Sequence, residues 1–144
     1  MFKNFNEFNF EVINVMVEGK PEMFVNINGL TFSKKLVESM SYPAFVRPLI
    51  DVENKALAIQ VCKQTDDKAI KFSKPRGEQN GSISIASNVL LRTTRAMMSD
   101  EWKNDNRYKI AGIYFQDAKA MVFDLTSAEE MVSFRTLKKH TETI

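Results

Sequence analysis

The sequence predicts an α+β fold in which two related β-α-β-β units close into a small barrel-like core, with an N-terminal hairpin before them and a C-terminal helix after them. Three observations lead there. Short runs rich in β-branched residues alternate with two brief amphipathic stretches. The order strand, helix, hairpin occurs twice. A unit of about 40 residues cannot bury enough surface alone, so two copies are expected to share one core within a single domain spanning 1–144.

Residues 10–17 (Phe-Glu-Val-Ile-Asn-Val-Met-Val) and 23–27 (Met-Phe-Val-Asn-Ile) have strand composition and flank Gly19-Lys20-Pro21, a turn signal, so they read as a hairpin. Phe2, Phe5, Phe8 and Phe10 before it are expected to cover a core edge or a partner chain. Ser33 is a helix cap, and Phe32, Leu36, Val37 and Met40 form one apolar stripe behind it. Tyr42-Pro43 ends that helix, because the residue before proline is pushed out of the α region. Residues 45–50 and 56–62 form a hairpin around a polar turn, and Pro48 places the first of these strands at an edge.

Residues 63–81 are polar and carry Pro75, Gly77 and Gly81, the composition of a linker. Residues 82–85 are a strand, 90–98 a helix, and 107–115 with 120–125 a second hairpin around Gln116-Asp117-Ala118-Lys119. A last helix is expected over 127–139, opened by two capping boxes, Thr126 with Glu129 and Ser127 with Glu130. Its Met131, Phe134 and Leu137 would face inward, with Lys138 and Lys139 at the favourable C-terminal end.

The two units align as an internal repeat, 23–62 with 82–125. Val25, Ile27 and Met40 match Ile83, Ile85 and Met98 at a spacing of 58, while Lys55-Ala56 and Ile59 match Lys119-Ala120 and Phe123 at 64. The difference, 64 − 58 = 6, places an insertion in the loop at 99–106, where insertions are tolerated.

The first unit carries a recognisable pattern: Gly29-Leu30-Thr31-Phe32-Ser33, a short helix to Met40, then 45–51 and 56–60 around a polar turn. It resembles the swapped-hairpin barrel of the AbrB and MazE superfamily, and two copies in one chain are similar to MraZ-type duplicated members. The family has Pro at the helix entrance, where this chain has Phe32, and Gly after the helix, where this chain has Ser41-Tyr42. The resemblance implies sequence-specific DNA binding by an Arg- and Lys-bearing face, as a dimer or larger ring.

Composition sets the limits on chemistry. Lys+Arg 20 against Asp+Glu 18 gives a net charge of +2, and one cysteine excludes an internal disulfide or a thiolate metal cage. No apolar run is long enough to span a bilayer, and residues 1–7 alternate Phe with Asn and Glu, so a cytoplasmic protein is expected. No nucleophile elbow, P-loop or dinucleotide glycine pattern is present, so neither an enzyme nor a cofactor is expected. His140 serves helix carbonyls, and Cys62 is a buried, inert thiol.

Two readings remain. For DNA, the candidate phosphate contacts are Lys34 and Lys35 on the first helix, Arg92 and Arg95 on the second, and Lys68, Lys71, Lys74 and Arg76 in the linker. Arg47 is either a base reader or an edge-strand guard. For a host protein, Trp102 with Arg107 and Tyr108 is either an interface anchor or the plug of the barrel end. The first reading is a homo-oligomeric, non-enzymatic transcriptional regulator bound to double-stranded DNA. The alternative is an inhibitor of the kind carried by phages and mobile elements, aimed at host defence or antitoxin-like, working through protein–protein contacts.

Overall fold

The computed structural model describes residues 19–131, together with Glu7 and Asn9. Within them the strands are β1 (Glu22–Val25), β2 (Leu30–Phe32), β3 (Phe45–Asp51), β4 (Ala56–Val61), β5 (Ile70–Lys71), β6 (Ile83–Ile85), β7 (Arg107–Phe115), β8 (Ala120–Asp124) and β9 (Glu129–Met131). Two helices, α1 (Lys34–Ser39) and α2 (Asn88–Met97), and a 3-10 turn at Leu125–Ser127 complete the set. All strand pairs are antiparallel, and the sheet runs β5-β3-β4-β8-β7-β1-β2-β6, with β9 also on β7. The sheet curls into a half-barrel, and the expected α+β class with a barrel-like core holds at that level.

Each helix begins where the sequence offers a cap. The Ser33 hydroxyl accepts from the Leu36 N–H, and the Ser87 hydroxyl accepts from the Leu90 N–H, both at 3.2 Å. Behind the caps, Leu36, Val37, Leu90 and Leu91 turn into the core. Phe32 lies at its centre, 5.4 Å from the Phe72 ring edge-on and 6.0 Å from the Phe123 ring.

The order β-α-β-β occurs twice, as β2-α1-β3-β4 and β6-α2-β7-β8. Adding 64 carries the register of the first hairpin onto the second: Leu49↔Ala58 becomes Ile113↔Val122. Lys55 and Lys119 close the two turns in the same left-handed conformation, at φ 53 and φ 52. Ala58 and Val122, themselves 64 apart, are also direct partners in the β4/β8 pair. Antiparallel pairing centred on matching residues is the geometry of a two-fold axis.

The outer strands are exchanged between halves. Val46 of β3 pairs with Ile70 of β5, and Ile110 of β7, 64 residues beyond Val46, pairs with Met23 of β1. The strand opening the first half therefore lies on the second hairpin, and β5 lies on the first.

Three expectations change. Residues 63–81 are not merely a linker: β5 pairs with β3, Phe72 is in the core, and buried Ser73 bonds to the Pro43 carbonyl through both its hydroxyl (2.6 Å) and its N–H (2.9 Å). Two backbone edges needing partners outweigh the polar composition of the segment. The strand before α1 is β2, not 23–27, so the caps Ser33 and Ser87 set a spacing of 54 there. Four of the extra residues form an added turn in α2, which has 10 residues against 6 in α1. Both edges of β1 are occupied, by β2 and β7; residues 10–17, the other half of the expected hairpin, lie outside the described residues with Phe2, Phe5, Phe8 and Phe10.

Residues 127–131, lastly, do not begin an α-helix. The Asp124 carboxylate takes the Thr126 N–H and hydroxyl, Ala128 is extended, and β9 continues on the part of β7 that β8 leaves open. A free strand edge offers more ladder bonds than the capping boxes offer a helix start. The remainder of the expected helix, with Phe134, Leu137, Lys138, Lys139 and His140, lies outside the described residues. Among the described residues no helix is long and apolar enough to cross a membrane.

Candidate functional site

The cations singled out by sequence separate into two groups. Lys34 on the first turn of α1, Arg92 on α2, and Lys68, Lys71, Lys74 and Arg76 beyond β4 are exposed. Arg92 folds its Nε back onto the Asn88 carbonyl of its own helix (3.2 Å). The others are engaged. Lys35 pairs with Glu38 at 2.9 Å, one turn along the same helix. Arg47 holds Oε1 of Gln60, its cross-strand partner, through Nε and a terminal nitrogen at 2.9 and 2.8 Å. β5 covers β3 only at Phe45 and Val46, so Arg47 stands on an open edge, the position of a strand guard.

Arg95 is a structural clasp. Its guanidinium donates to the carbonyls of Asn26 (3.0 Å), Asn106 (2.8 Å) and Lys103 (3.3 Å), and its centre lies 6.0 Å from the Tyr108 ring. Desolvation pulls its pKa below the usual arginine value, against the opposing pull of Tyr108 and Asp105. Three carbonyls from two loops meet on this one side chain.

Trp102 belongs to the packed core. It is 9% exposed and stacks on Tyr108 at 4.4 Å with the rings 8° from parallel. The Tyr108 hydroxyl accepts the Lys103 N–H at 2.6 Å, pinning the loop over both rings. Arg107 is exposed and donates to Oδ1 of Asn26 (2.9 Å). Cys62 is half-buried; desolvation pushes its thiol pKa up, nearby Asp66 adds to this, and Arg47 opposes it.

Two features were not read from the sequence. The first is a cleft of about 550 Å³ lined by Glu38, Ser41, Tyr42, Ala44, Pro75 and Arg76. It forms where α1 ends in a Schellman cap, with Ser41 N–H on the Glu38 carbonyl and Tyr42 N–H on the Val37 carbonyl. Ser41 and Tyr42 both take left-handed backbone, φ 61 and φ 55, where a β-carbon costs about 1–2 kcal/mol per residue. The missing glycine after the helix was the available signal. The second feature is an apolar line across the outer sheet face, Leu49, Ala58, Val122 and Ile113 on four successive strands, with Phe115 beside it. Ile113 is 65% exposed and Phe115 53%.

No family model matches this chain, and no characterised protein or solved structure matches it either.

Proposed function

We propose that the chain is a non-enzymatic DNA-binding regulator in which both halves of an AbrB-like, swapped barrel sit in one polypeptide. The observation that carries this reading is the reciprocal strand exchange: β1 on the second hairpin, β5 on the first, with identical hairpin registers 64 residues apart. Such exchange is what duplication of a swapped dimer leaves behind, and it supports the likeness that the Gly29–Met40 pattern first suggested. Lys34 and Arg92 are the phosphate contacts of this reading, one from each helix, with Lys74 and Arg76 of the loop after β5 as further candidates. Arg95 drops out, being held by backbone carbonyls. Lys35 and Arg47 contribute only after exchanging Glu38 and Gln60 for phosphate.

The test is duplex-DNA affinity against salt. Each phosphate contact contributes about 0.9 to the log–log slope, so Lys34→Ala and Arg92→Ala each flatten it by about that amount. A duplex that shows no salt-dependent binding at micromolar protein overturns the proposal.

The exposed apolar line favours a second reading, a protein-binding inhibitor whose partner covers the outer sheet face. In that case Ile113→Asp abolishes capture of the partner, while Trp102→Ala acts only through stability.

A further inference from the structure

The cleft at the end of α1 shares Arg76 and the neighbouring Lys74 with the DNA reading but does not depend on it. We infer that it binds a small anionic aromatic molecule, a planar ring bearing a phosphate or carboxylate.

Its walls are fixed to each other. Phe72 N–H bonds to the Ala44 carbonyl and Ser73 to that of Pro43, tying residues 72–73 to residues 43–44. Beyond them the arginine-bearing loop is braced. Glu78 and Gln79 N–H groups close on the Pro75 carbonyl at 2.8 and 3.0 Å, and the Lys74 N–H reaches Oε1 of Gln79 at 2.9 Å. Arg76 is thus carried on an ordered turn, and its guanidinium has no hydrogen-bond or ion-pair partner among the described residues. A guanidinium at the wall of a cleft presents parallel N–H groups that match a carboxylate or phosphate, with Lys74 adding charge from the same loop.

The opposite wall supplies the ring contact. Tyr42 packs against the core and also lines the cleft, offering an aromatic surface that costs little entropy to present. It stands there because the chain accepts two successive left-handed residues. Strain of that kind persists where the surrounding structure over-determines it, and it is concentrated at ligand sites. The Ser41 hydroxyl lines the same space, as does Glu38, whose carboxylate is held by Lys35. The Ser41 hydroxyl can accept a hydrogen bond from a ring substituent. The volume falls within the ~300–1,000 Å³ of small-molecule sites.

The experiment is amide NMR titration of the full chain with adenosine monophosphate, 4-hydroxybenzoate, adenosine and inorganic phosphate in parallel. The expected result is saturable shifts at residues 38–44 and 74–77 with one or both anionic aromatics, at a Kd of about 1 mM or tighter. Which of the two binds more tightly distinguishes a nucleotide from an aryl carboxylate. Arg76→Gln, on the exposed loop, weakens that ligand about tenfold or more at unchanged melting temperature. Tyr42→Leu weakens it as well. If adenosine or phosphate alone binds as tightly as the anionic aromatic, or if no probe shifts these amides, the inference is wrong.

Discussion

Arg95 shows how a single charged side chain changes meaning once its neighbours are known. Its carbonyl acceptors come from the β1–β2 turn and from the loop before β7, so Arg95→Ala removes charge-assisted bonds from both loops at once. The expected cost is about 1–3 kcal/mol in urea unfolding, with the salt slope of any DNA binding unchanged. A flattened slope at full stability would instead make it a phosphate contact. Ser41 is the opposite case, a residue that pays for its position with backbone strain. Ser41→Gly relieves the left-handed penalty, partly offset by chain entropy, and is expected to stabilise by about 0.5–1 kcal/mol. Cys62, its thiol pKa raised chiefly by desolvation, is expected to react with iodoacetamide at pH 7.5 more slowly than free cysteine. Equal rates would contradict the burial argument. The inert character of Cys62 was legible from its place at the end of an apolar strand, but the Arg95 clasp was not, because a lone Arg carries no mark of which backbone groups will surround it.

At the scale of elements, legibility followed the strength of local signals. The two helices, the Ser33 cap of the first and the two polar-turn hairpins were readable, since cap chemistry and alternation act over a few residues. β5 and β9 were not, because both exist by adding to an edge supplied from far along the chain. The candidate site was hidden for the same reason: its walls, 38–44 and 75–76, meet through the β3–β5 pairing and the bonds of Phe72 and Ser73 to Ala44 and Pro43 that extend it. Gly29 tests the β2–β6 contact directly. A β-carbon there would lie 2.5 Å from the Ile85 carbonyl oxygen, so Gly29→Ala must push two backbones apart and is expected to cost at least about 2 kcal/mol. Gly112→Ala meets side-chain atoms instead, Met121 Sδ at 2.7 Å and Phe123 Cε1 at 2.9 Å, and methionine yields more readily. A smaller loss at Gly29 than at Gly112 would show that β6 is loosely held.

For the whole molecule, the decisive feature is that neither half keeps its own first strand. Fragments 1–66 and 67–144 are each expected to be unfolded, or to self-associate, and to regain the far-ultraviolet circular dichroism of the intact chain when mixed. A folded monomeric 1–66 would contradict the exchange. The repeat itself was legible because the hairpins keep one spacing of 64, whereas the exchange was not, since sequence periodicity records which strands are alike and not which ones touch. The same topology governs birth on the ribosome. Met23 waits for Ile110, so β1 leaves the exit tunnel with one flank unsatisfied until most of the polypeptide has been synthesised. Distant pairings of that kind slow acquisition of the native state and leave sticky edges open meanwhile. Nascent chains stalled before residue 107 should therefore be protease-sensitive throughout and should recruit holdase chaperones, whereas completed chains should not.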